Sequence, residues 1–94
     1  IGNYIAVPHA RLPELKKPLI ITARSESGVD FDAIDGKPAK LIFMVLSPRN
    51  DQQSQIQILS DISVIFHDRE TRDRAIRAKS FNEFVSSIKP AYYK

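Results

Sequence analysis

Two side chains near the start of this sequence, His9 and Arg11, are of the types and spacing that carry chemistry. An imidazole is nucleophilic through one ring nitrogen when the other donates a hydrogen bond, so it needs no separate base. In extended chain a residue two positions on lies on the same side, and the planar N–H fork of arginine suits a phosphoryl group better than a metal ion. Pro8 has a fixed φ and pushes Val7 toward extended geometry, which holds His9 in a short stiff segment. Gly2 supplies the opposite property: it admits a positive-φ turn and leaves backbone N–H groups unshielded, as an anion-accepting loop requires. The combination points to a histidine that accepts phosphate, with Arg11 and the backbone N–H groups near Gly2 and Asn3 stabilising the phosphoryl oxygens. On residue types alone the competing explanation is a surface histidine or a satisfied core histidine. His67 has such an explanation, as a donor at the end of a long helix. Nothing in the sequence has zinc-ligand spacing, and no metal or cofactor is expected.

A sheet must position the histidine segment. Residues 12–18 contain two prolines and mixed charge, which predicts an irregular connection. Residues 19–24 are short and rich in β-branched types, which predicts a strand ending at Ser25-Glu26-Ser27-Gly28. Alternation over 29–32 predicts a short edge strand, and Asp35-Gly36 a tight turn. Residues 40–46 have no polar residue after Lys40, as expected for a central strand covered on both faces.

Three helices follow in the pattern. Asn50 with Gln53 forms a capping box for a helix over 51–66, whose buried stripe is Ile58, Leu59, Ile62, Ile65 and Phe66. Asp68 caps a second helix over 69–79, which has only Ala75, Ile76 and Ala78 to bury. Ser80 with Glu83 starts a third, with Phe81, Phe84, Val85 and Ile88 on one stripe, ending before Pro90. The tail over 91–94 is expected to be loose. Strands followed by helices give an α/β (α+β) domain with a small mixed sheet flanked by helices.

At 94 residues one domain and one core are the limit. With 43% hydrophobic and 27% charged residues the chain is an ordinary globular one, which excludes disorder. The net charge of +3 arises from interleaved signs, as in Arg69-Glu70-Thr71-Arg72-Asp73-Arg74, so it makes no stripe for nucleic acid. There is no cysteine, hence no disulfide or thiolate chemistry, which is compatible with a reducing cytoplasm. The longest apolar run, 41–46, is far below the ~20 residues that span a bilayer.

The run Gly2-Asn3-x-Ile5-Ala6-x-Pro8-His9-Ala10-Arg11 resembles the phosphorylation-site motif, of the form G-N-G-x-A-x-P-H-A-R, of enzyme IIA domains of the mannitol/fructose class in the bacterial phosphotransferase system. The resemblance continues through Asp30-Phe31-Asp32-Ala33-Ile34-Asp35-Gly36-Lys37-Pro38 and Leu46-Ser47-Pro48, and so covers nearly the whole chain. Such domains carry a further segment before the motif, so the resemblance implies that 1–94 is a single enzyme IIA-like domain, the C-terminal part of a longer one. It further implies a cytoplasmic phosphocarrier in which His9 takes phosphate from an HPr-like phosphocarrier and passes it to a IIB component, without direct sugar binding. The alternative is a regulatory module of the nitrogen-regulatory type, or one fused to a transporter, acting by phosphorylation-dependent partner binding. The family commonly has a second active-site histidine in an H-L-x-x-L pattern. The matching stretch is Gln55-Ile56-Gln57-Ile58-Leu59, so Gln55 takes that place and is expected to donate to a phosphoryl oxygen without carrying charge. Tyr4 stands where the motif has a small residue or glycine, and is expected to pack over the site or narrow it.

Overall fold

The computed structural model describes residues 2–92. Its central element is β4 (Ala39–Pro48), the apolar run expected at the sheet centre. Along one edge of β4 lie β1 (Ile5–Ala6) and β2 (His9–Leu12), both parallel to it, and along the other lies β3 (Leu19–Val29), antiparallel. The sheet is therefore mixed, as the sequence predicts. One register runs through β1 and β2, with Ile5 opposite Leu41 and His9 opposite Val45. They are two pieces of one path, interrupted at Val7-Pro8, where proline has no N–H for the ladder. The Pro8 carbonyl still accepts from Val45 N–H at 2.9 Å.

Burial along β4 alternates. Ala39, Leu41, Phe43, Val45 and Ser47 are buried, while Met44 on the opposite face is 40% exposed. Leu19 and Ile21, the register partners of Leu46 and Met44, share that second face and are each 48% exposed. This corrects the expectation of a strand covered on both faces: an unbroken apolar run does not reveal which phase is covered. Strand β3 is also longer than expected. It continues past Arg24 through an irregular stretch to Val29, and residues 30–32 form no strand. The expected tight turn is present, with Gly36 N–H bonded to the Ala33 carbonyl at 3.0 Å.

The first of two compact units ends at Leu59 and the second begins at Ser60, a boundary inside α1 (Gln52–Ile65). The cap of α1 is Asp51, one residue later than expected: its carboxylate accepts from Ser54 N–H at 3.1 Å, the N3 position counted from Asp51. The N–H and hydroxyl of Ser54 hold this carboxyl below the ordinary aspartate value, the side-chain bond being the larger cause. Of the stripe expected on α1, Ile62, Ile65 and the following Phe66 are buried, and Ile58 and Leu59 half-buried. Arg72 serves the carboxyl end of α1 by donating to the carbonyls of Phe66 and His67 at 2.9 and 2.8 Å.

In the second unit α2 (Arg69–Arg77) packs on α3 (Phe81–Tyr92). Asp68 caps α2 as expected, accepting from Thr71 N–H at 3.0 Å and Thr71 hydroxyl at 2.8 Å. Asp68→Ala is expected to destabilise the fold by about 1 kcal/mol, read as a lower thermal midpoint with native far-UV dichroism at low temperature. Ser80 accepts from Glu83 N–H at 3.1 Å, and the Glu83 carboxylate reaches Lys79 N–H at 2.8 Å. Phe81 is 73% exposed and so is not on the covered stripe; Ser87 is buried instead, its hydroxyl donating to the Phe84 carbonyl. Helix α3 does not stop before Pro90. Proline's φ is helical, and in a last turn its missing N–H removes one bond only. Of the tail expected to be loose, residues 91 and 92 continue α3, and 93 and 94 lie outside the described residues. Among the described residues no helix is long and apolar enough to cross a membrane.

Candidate functional site

His9 opens β2 and is exposed. Its Nδ1 is 2.8 Å from the Val7 carbonyl oxygen, an acceptor only, so Nδ1 carries the proton and donates. The other nitrogen, Nε2, is left with its lone pair. The acceptor is available because Val7 and Pro8 lie in the break between β1 and β2. The proline the sequence flags as a stiffener thus selects the tautomer as well.

Arg11, also exposed, is two residues further along the same strand and hence on the same face as His9, about 7 Å along. Register partners share a face, so this is the face of Val45, opposite His9, and Ser47, opposite Arg11. The Ser47 hydroxyl donates to Gln55 Oε1 at 3.4 Å, a long bond between the end of β4 and the first turns of α1. Arg11 thus lies opposite Ser47 on the neighbouring parallel strand, with His9 two residues before it, and Ser47 in turn is bonded to Gln55. Sequence reasoning missed Ser47. Its signal was present: within β4 it is the only polar residue in the phase 39, 41, 43, 45, 47.

Gly2 and Asn3 are elsewhere. Ile5 is four residues from His9 in register, about 13 Å along the sheet, and Gly2 and Asn3 precede it. They form a turn closed by Ile5 N–H to the Gly2 carbonyl at 3.1 Å, with φ of 56° at Asn3 and 70° at Tyr4, both central residues left-handed. This is an anion-accepting loop, as expected, but its anion is internal. Asp35 Oδ2 accepts from Asn3 N–H at 2.7 Å and Oδ1 accepts from Lys37 N–H at 3.0 Å. The Asn3 amide, expected at the phosphate, is engaged in the fold by a carboxylate 32 residues away. Tyr4 also lies at that end. Its ring has the ammonium groups of Lys37 and Lys40 at 5.2 and 5.4 Å, and its carbonyl accepts from Lys40 and Leu41 N–H, contacts that offset a left-handed φ unusual for an aromatic residue. A motif that has glycine there meets the same φ without strain.

The Asn3 N–H, and secondarily the Lys37 N–H, hold the Asp35 carboxyl below the ordinary aspartate value. A carboxyl depressed in the fold contributes stability that is complete above its unfolded pKa, about 3.9, and is lost as pH falls through the lower folded value. Asp35→Asn is expected to remove that acid-dependent part and to speed amide exchange at Asn3 and Lys37, leaving His9 unaffected. Amide exchange followed residue by residue checks this.

Residues 1–91 match the family described as phosphoenolpyruvate-dependent sugar phosphotransferase system, EIIA 2, and the chain belongs to that family. It is similar to the PTS system fructose-specific EIIA component of Haloferax volcanii, 41% identical over 85% of this chain and 52% of that protein. It is also similar to the nitrogen regulatory protein of Pseudomonas aeruginosa, 36% identical over 78% of this chain and 47% of that protein. The crystal structure of nitrogen regulatory protein IIA-Ntr from Neisseria meningitidis superposes with a TM-score of 0.86 at 31% identity, over 94% of this chain and 60% of that one. IIA mannitol from Escherichia coli shares the fold, with a TM-score of 0.78 at 21% identity over 94% of this chain and 62% of that one. The chain spans about half the length of the curated relatives it matches.

Proposed function

We propose that this chain carries a phosphoryl group on His9 Nε2, received from the phosphohistidine of an HPr-like carrier and handed to a IIB component, in the cytoplasm and without contact with sugar. The observation that carries this reading is the exposed imidazole whose Nδ1 proton is held by the Val7 carbonyl. The Nε2 lone pair attacks phosphorus as the bond to the donor nitrogen breaks. The donor ring, protonated at its other nitrogen, leaves as neutral imidazole. On His9 the Nδ1–H stays in place, and its bond to the Val7 oxygen strengthens as the ring gains positive charge. Little else is asked of the protein beyond alignment and charge stabilisation, and Arg11 and the Gln55 amide are the groups proposed to meet the phosphoryl oxygens. Because the family match runs through both units, we take residues 1–94 as part of one domain.

Incubation with phosphoenolpyruvate, enzyme I and HPr should add one phosphoryl group by intact mass; an unchanged mass sinks the reading. The likeness to nitrogen regulatory proteins favours a second reading, in which the phosphoryl group is a signal that alters binding to a regulated partner such as a transporter. Onward transfer to a purified IIB domain supports the carrier. No transfer, with a partner retained in only one phosphorylation state, supports the signal.

A further inference from the structure

Ser47 is completely buried, at 0% exposure, yet it sits in a phase of β4 otherwise filled by Ala39, Leu41, Phe43 and Val45. A buried hydroxyl is unfavourable unless it is bonded, and its partner is Gln55 Oε1. An amide has two ends with opposite effects on an anion: Oε1 repels phosphoryl oxygens and Nε2–H2 attracts them. Engaging Oε1 leaves Nε2–H2 as the end free to turn outward. On the neighbouring strand the register partner of Ser47 is Arg11, with His9 two residues before it on the same face.

We propose that Ser47 is a positioning residue, whose hydroxyl orients the Gln55 amide so that its N–H groups face a phosphoryl group on His9. The proposal rests on the carrier reading. It makes the donor at position 55 a neutral group with no proton to gain or lose near neutral pH, so the Ser47 contribution is the same from about pH 5 to pH 8, the range in which imidazoles lose their charge.

The test uses the full chain and potassium phosphoramidate, a small donor whose P–N bond breaks as the Nε2–P bond forms, releasing ammonia. Labelling of His9 is followed by intact mass. Ser47→Ala and Gln55→Ala should each slow it roughly fivefold, the rate equivalent of one net hydrogen bond, and the double variant should be no slower than either single one. The ratio of wild type to Ser47→Ala should stay constant with pH. Gln55→Glu keeps the acceptor for Ser47 but has no N–H, and should be slower than either alanine variant. Labelling of Ser47→Ala at the wild-type rate, effects that multiply in the double variant, or Gln55→Glu at the wild-type rate each overturn the proposal while leaving the carrier reading intact. A wild type that takes no phosphoryl group from phosphoramidate overturns both.

Discussion

His9→Gln is expected to reduce phosphoryl uptake at least about 10³-fold, to background, while the thermal midpoint stays near that of wild type. Glutamine keeps a polar side chain at the position but has no nitrogen lone pair to attack phosphorus. Because His9 is exposed and makes one bond to a local carbonyl, its replacement falls among surface substitutions worth within about 0.5 kcal/mol of stability. Lost uptake with an unchanged midpoint therefore separates chemistry from folding. The same tautomer argument fixes the position of the product. With Nδ1–H held by the Val7 oxygen at 2.8 Å, the phosphoryl group should be found on Nε2, and nuclear magnetic resonance of the phosphorylated ring distinguishes the two nitrogens. A product on Nδ1 would contradict the observed hydrogen bond as the selecting element. Uptake retained by His9→Gln would move the acceptor to His67, which lies past the end of α1.

What was legible in the sequence was what local rules govern. The apolar run became β4, Asp68 and Ser80 became caps, and Pro8 placed His9 in extended chain beside Arg11 on one face. Misreadings of a single residue, such as Asn50 for Asp51, arise because neighbouring Asx residues satisfy the same capping rule and only the chain path chooses between them. The surroundings of Gly2 and Asn3 were harder to read. Their left-handed turn and exposed amides were inferable, but the carboxylate that fills the turn comes from Asp35, and no local pattern links those positions. The place of Ser47 needed the strand register: only when Arg11 is set opposite it, and Gln55 against its hydroxyl, does one polar residue in an apolar strand acquire a reason. Ser25-Glu26-Ser27-Gly28 misled in the other direction. It has the composition of a turn, yet the chain stays in β3, with a register shift between Arg24 and Val29 taking up the irregularity.

That irregularity makes Gly28 the most sensitive position outside the site. Its φ is +88°, and a Cβ placed there would lie 2.6 Å from Pro38 Cβ and 2.9 Å from Pro38 Cγ. A left-handed φ alone disfavours alanine by roughly 1–2 kcal/mol. The overlap adds to this, because a proline ring cannot rotate away and the Gly28 N–H is bonded to the Ser25 hydroxyl at 3.1 Å, so β3 and the chain entering β4 must separate. Overpacking of this kind adds about 1–3 kcal/mol. Gly28→Ala is therefore expected to lose roughly 2–5 kcal/mol, a large part of the stability of a small domain, and to lower the thermal midpoint by about 10–30 °C. Gly36→Ala is the control. Its φ is +73° with nothing within 4 Å of the added Cβ, so it should show the backbone part alone, about 1–2 kcal/mol. Adding Pro38→Gly to Gly28→Ala should recover part of the difference, since both clashing atoms belong to that ring. Equal losses for Gly28→Ala and Gly36→Ala would show that the strands give way without strain. In that event β4, which sets Ser47 opposite Arg11, would be less firmly fixed by β3 than its register implies.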